Sequence, residues 1–113
     1  ITIKGGLGST VYKTFTIKPK PTTIKGLTAK NDAFKISWNK KTTQNTGYQI
    51  RYSLKSSFSS YEDVLIKKDT TTSKTIKNLK SKKTYYVKIR TYKTVDGEKI
   101  YSAWSSVKKV KTK

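Results

Sequence analysis

The chain has 113 residues, 33% of them apolar, and eight Tyr, three Phe and two Trp supply most of the bulk, which fits one domain of ordinary size with a thin, aromatic core. Lys and Arg number 26 against 6 Asp and Glu; this charge attracts polyanions of any kind, yet the lysines are spread over every segment, as on a solvated surface. With neither Cys nor His, the chain has no disulfide, no thiolate or imidazole metal site and no histidine base, and no apolar run is long enough to cross a bilayer.

Turn signals arrive about every ten residues and no segment sustains a 3.6-residue period, which predicts strands. "ITIK", the turn "GGLGS" (Gly5 to Ser9) and "TVYKTFTI", with Val11, Phe15 and Ile17 on one face, predict a β-hairpin over residues 1–18. "KPKPTT" follows, and Pro19 and Pro21 predict a stiff linker over 19–23, with the main domain at 24–113. "TIKGLTAK" predicts a first strand with Ile24 and Leu27, and "AFKISW" a second with Phe34, Ile36 and Trp38 on the buried face. "YQIRYS" turns Tyr48, Ile50 and Tyr52 inward and Gln49 and Arg51 outward. A polar loop with two aromatics, "LKSSFSSYED", leads to a short edge-like strand, "VLIKK", and "DTTTSKTIKNL" carries a strand ending near Leu79. "TYYVKIRTYKTV" is the longest strand, and Asp96-Gly97 is a strong hairpin signal. "EKIYSAWSSVKKVKT" is the last strand, with a bulge or break indicated by the parity change between Val107 and Val110. Seven short strands predict an all-β, antiparallel, immunoglobulin-like sandwich, with the N-terminal hairpin as an addition.

From about Thr23 onward the sequence resembles a fibronectin type III domain. The residues that carry the resemblance are Trp38, the "YQIRY" strand, Ile76, Leu79 and the run Tyr85, Val87, Ile89. It implies a tyrosine corner: Leu79 packs under the sheet, and the Tyr85 hydroxyl reaches back to nearby backbone. Trp38, Leu79 and Tyr85 are therefore expected to be structural. The lysine- and threonine-rich style and the ending "SAWSSVKKVKTK" also resemble type III repeats in large surface proteins of Gram-positive, clostridia-like bacteria. That resemblance implies an extracellular place, at the cell surface, in the wall or secreted, and makes Ile1 to Ile17 the final hairpin of a preceding β-rich domain. No signal-peptide pattern opens the chain, so an exported protein containing it would be longer.

The carboxylates Asp32, Glu62, Asp63, Asp69, Asp96 and Glu98 all fall in predicted loops, turns or strand ends. A catalytic pair needs two groups held across a cleft with one partly desolvated, and a hard metal needs more oxygen ligands at fixed spacing. "GGLGS" lacks the lysine and helix of a phosphate-cradling loop. The expectation is a non-enzyme with no catalytic residue, no metal and no cofactor.

The outward face of the longest strand reads Tyr86, Lys88, Arg90, Tyr92, with Gln49 and Arg51 expected from the third strand and Tyr101 or Trp104 from the last. This is the candidate ligand face. Rings could stack on sugars while the cations hold anionic groups. The structural alternative is a cation–π ladder, since "SAWS" resembles the end of the Trp-Ser-x-Trp-Ser motif of cytokine-receptor type III domains, with Tyr101 where the first Trp would be. The function expected is a non-catalytic spacer or adhesion module in a larger surface or secreted protein, contacting neighbouring domains of its own polypeptide. The alternative is a binding module for anionic polysaccharide, wall polymer or host glycan. Specific nucleic-acid binding is not expected, because exposed aromatics are few and lysines dispersed. The open edges of the N-terminal hairpin predict pairing with another chain by strand exchange or in a crystal dimer, or else poor order.

Overall fold

The computed structural model describes residues 19–42 and 45–113; the hairpin expected at residues 1–18 lies outside them. The described residues form eight strands, and apolar and polar side chains alternate along the longer ones. The eight are β1 (Ile24–Lys30), β2 (Ala33–Trp38), β3 (Gly47–Ser53), β4 (Glu62–Ile66), β5 (Ser73–Ile76), β6 (Thr84–Val95), β7 (Glu98–Tyr101) and β8 (Lys108–Lys111). They form two antiparallel sheets, a smaller one in the order β1-β2-β5 and a larger one in the order β4-β3-β6-β7, with β8 also paired to β6. The fold is the predicted all-β sandwich.

The core lies where the two-residue period puts it. Phe34, Ile36 and Trp38 of β2 face Tyr48 and Ile50 of β3 and Tyr85, Val87 and Ile89 of β6, all buried. Removing each such side chain from water contributes about 1.5–3 kcal/mol. Rings carry much of the contact. Phe34, Tyr52 and Tyr85 meet at centroid distances of 5.9, 6.1 and 6.0 Å, and Trp38 lies 5.2 Å from Tyr48. The edge strand β5 turns Lys74 to the inner side, opposite Ile36, while keeping it exposed. An inward-pointing charge of this kind discourages a further strand from adding to the edge.

The tyrosine corner is present. Tyr85 is buried, and the backbone N–H of Lys80 donates to its hydroxyl at 2.9 Å. Leu79 departs from expectation in two ways. It is only partly buried, packed against the core from outside, and β5 ends before it at Ile76. Asn78 takes a left-handed conformation (φ 60°), and this turns the chain so that the Leu79 N–H donates to the Asp32 carbonyl at 2.9 Å. The Asp96-Gly97 turn is the tight hairpin expected: both residues have positive φ (50° and 82°), and Val95 pairs with Glu98.

The last predicted strand is two strands on one edge of β6. β7 pairs with its C-terminal end, Tyr92 to Val95, and β8 with its N-terminal end, Thr84 to Val87. Residues 19–23, expected as a linker, lie along the sandwich. Thr22 is buried and donates its hydroxyl to the Asn39 carbonyl at 2.5 Å, and Thr91 donates its own to the Lys20 carbonyl at 2.8 Å.

Candidate functional site

Antiparallel pairing brings the expected face together. Arg51 of β3 stands directly opposite Lys88 of β6, and Gln49 opposite Arg90. Two cations facing each other across a ladder destabilise it unless other groups intervene. On one flank that group is Asp63 of β4, which faces Arg51. It accepts from Arg51 Nε at 2.8 Å and Nη2 at 3.1 Å, and from Gln49 Nε2 at 3.0 Å. Gln49 in turn accepts from Arg90 Nε at 2.7 Å. A chain of hydrogen bonds thus runs across three strands from Arg90 to Arg51.

Aromatic rings fill the space above. Trp104 lies 4.9 Å from the Arg51 guanidinium, 4.7 Å from the Lys88 ammonium and 4.2 Å from the Arg90 guanidinium. Tyr61 covers Arg51 at 3.8 Å, Tyr101 covers Arg90 at 3.7 Å, and Phe58 meets Lys88 at 4.4 Å. The electrostatics follow from this crowding. Donating to the Asp63 carboxylate pushes the Arg51 pKa up. Burial, then the charges of Arg51 and Arg90, pulls Lys88 down, and burial pulls Arg90 down.

The sequence "SAWSS" holds Trp104 there. Ser102 and Ser105 each make two bonds to β6. The Ser102 N–H donates to the Thr91 carbonyl and its hydroxyl accepts from the Thr91 N–H, both at 3.0 Å. The Ser105 N–H donates to the Ile89 carbonyl at 2.8 Å, and its hydroxyl accepts from the Ile89 N–H at 3.0 Å. Two hydroxyls thus replace backbone acceptors of a regular strand. This is why β7 and β8 are separate, and why the Trp104 ring is clamped over Arg90.

Of the residues expected on this face, the structure brings Arg51, Lys88, Arg90 and Trp104 together. Tyr92 is a correction: it has the outward parity but is only 2% exposed. Gly47 stands directly opposite it and has no side chain, so the Tyr92 ring crosses that gap and its hydroxyl donates to the Ile66 carbonyl at 3.5 Å. Tyr86 stands apart, opposite Ser53 and Lys109, with no cation–π contact among the described residues. Phe58, Tyr61 and Asp63 belong to the arrangement and were not expected in it. Their one sequence signal is the pair of aromatics in an otherwise polar loop. Phe58 sits at φ 57°, a conformation rare for an aromatic residue.

The arrangement holds cations against rings. Two packed antiparallel sheets, a tyrosine corner and a serine-clamped ladder define an immunoglobulin-like β-sandwich module. The chain belongs to the fibronectin type III domain family, whose model matches residues 19–108.

Among solved structures, the FN1–FN3 domains of chicken CNTN1 are similar with a TM-score of 0.70 and 20% identity, over 85% of this chain and 32% of that one. A β-1,2-glucanase from Parabacteroides distasonis is similar at 0.66 and 16%, over 83% of this chain and 12% of that one. A structure described as a myokine is similar at 0.60 and 20%, over 85% and 98%. The chain thus spans about a third of the first and an eighth of the second. No curated protein matches the sequence at a significant level. At these identities the likeness concerns the fold, which serves unrelated functions.

Proposed function

We propose that the chain is a non-catalytic spacer or adhesion module of a larger bacterial surface or secreted protein, with residues 1–18 belonging to a preceding β-rich unit. One observation carries the reading. The face with the richest chemistry is occupied by its own side chains: both arginines are hydrogen-bonded within the sheet, and Trp104 is in contact with three cations. Such stacking stiffens a module and covers the hydrocarbon parts of long side chains. The twelve residues of β6 at about 3.3 Å each give a strut of about 40 Å. The coverage of only a fraction of the CNTN1 and glucanase chains agrees with a module that works inside longer polypeptides.

The test is retention on a polygalacturonate matrix, wild type against Trp104→Ala and Arg90→Ala. A spacer is held by net charge alone, so retention falls smoothly with salt and is nearly the same in all three proteins. Saturable binding that both variants abolish would overturn the reading in favour of a glycan-binding ladder.

A further inference from the structure

The smaller sheet has an outward face of a different character. Its central position is Lys35 of β2, flanked across the strands by Thr28 of β1 and Thr75 of β5. The next outward row is Gly26, Ser37 and Ser73. A register shift between Ile24 and Gly26 makes Lys25 an extra residue of β1, and such a bulge re-aims its side chain. The result is a concave depression lined by Lys25, Lys35 and Lys40 with Thr28, Ser37, Thr72 and Ser73. Gly26 lies directly opposite Ser37, and a Cβ there would press on Ser37 Oγ at 3.2 Å.

We propose that this depression is a docking surface for a polyol or sugar phosphodiester polymer. Its charge is uncompensated: β1, β2 and β5 contain no Asp or Glu at all. Its cations are all lysines, because both arginines of the chain are in the larger sheet. An ammonium is a point charge with freely rotating donors, and in that form lysine is a regular binder of phosphate oxygens. The side-chain hydroxyls of Thr28, Thr72 and Ser73 are in no hydrogen bond among the described residues, and their short rotors add donors to phosphate oxygens. Three lysines around one hollow match successive charges along a polymer better than a single ion. No exposed ring lines the hollow, and Trp38 beside it is buried, so nucleobases would have nothing to stack on. This inference goes beyond the spacer reading and does not depend on it.

The experiment measures binding of the intact chain to synthetic poly(glycerol phosphate) at several salt concentrations. Two triple variants of equal net charge are compared with wild type. Lys25→Gln/Lys35→Gln/Lys40→Gln empties the depression, and Lys55→Gln/Lys77→Gln/Lys80→Gln removes lysines from a separate groove. The first triple is expected to weaken binding at least about tenfold and to flatten the plot of log affinity against log salt by about 2, and the second to weaken it no more than about threefold. Amide shifts on titration are expected on β1, β2 and β5. Equal losses in both triples would reduce the binding to bulk charge and overturn the proposal, as would shifts centred on Trp104. Equal affinity for polygalacturonate would overturn the phosphate preference, and tighter binding of oligo-dT would replace the occupant with a nucleic acid. Since the spacer reading is tested through Trp104 and Arg90 on a carboxylate matrix, either can fail alone.

Discussion

On the larger sheet Arg51, Lys88 and Arg90 are stacked against four rings, and the two arginines are tied to Asp63 and Gln49. On the smaller sheet Lys25, Lys35 and Lys40 stand around a hollow of hydroxyls with no carboxylate among them. Both faces are basic, but the first has used its cations as building material and the second has left them to solvent. The face with the more distinctive residues is the one already filled, and a partner would find its counter-charges on the plainer one.

The sharpest way to break the larger sheet is Gly47→Ala. A Cβ there would lie 1.9 Å from the Ile66 carbonyl oxygen and 3.0 Å from the Tyr92 hydroxyl. Backbone of β4 must move whatever the Tyr92 ring does, so a loss of about 3 kcal/mol or more is expected in a denaturant melt. An unchanged midpoint would mean that the Ile66 carbonyl does not close against Gly47. Trp104→Ala removes three cation contacts, each worth about 0.5–1 kcal/mol at a partly exposed site, and leaves Arg51 facing Lys88 without its spacer. The expected loss is about 1.5–3 kcal/mol, and a neutral outcome would reduce the ladder to decoration.

Alkaline pH probes the buried ionisable groups. Burial raises Tyr48, Tyr52 and Tyr92 above the ordinary value of 10.0. Their stabilisation is fully present below pH 10 and is lost as pH rises through the raised values, because the unfolded chain ionises first. Lys88 acts in the opposite sense. Its pKa is held below 10.5, so the cost of burying its charge is relieved as pH rises through the lowered value. With three tyrosines against one lysine, melting temperature should fall above about pH 10. Tyr92→Phe should blunt the fall and Lys88→Met should steepen its onset. A flat profile from about pH 8 to 11 would contradict the burial described.

Tyr85→Phe tests the corner that joins the two sheets. The Lys80 N–H loses its acceptor, at a cost of about 1 kcal/mol, and a midpoint equal to wild type would show that the bond contributes nothing. The smallest effect belongs to the smaller sheet. Lys25→Gln/Lys35→Gln/Lys40→Gln should change stability by no more than about 0.5 kcal/mol per site, in the stabilising direction at low salt because like charges are removed. A large destabilisation would mean that these lysines are structural after all and would erase the contrast between the faces.

Much of this molecule is determined by local pattern. The inward set Phe34, Ile36, Trp38, Tyr48, Ile50, Tyr85, Val87 and Ile89 follows from alternation alone, since a strand turns successive side chains to opposite faces. The Asp96-Gly97 hairpin follows from a residue pair suited to two positive φ angles. The family was legible in the same residues. Parity, however, tells only which way a side chain points and not what lies over it. Tyr92 is buried because Gly47 stands across from it, and that neighbour is chosen by strand order. Asp63 completes the ladder because β4 lies beside β3, and Phe58 and Tyr61 reach it from a loop whose path no period encodes. The lysines that look evenly scattered along the chain are gathered by the same pairing. Lys25 and Lys35 come from different strands and Lys40 from a loop, and only the pairing of β1 with β2 makes them neighbours around one hollow.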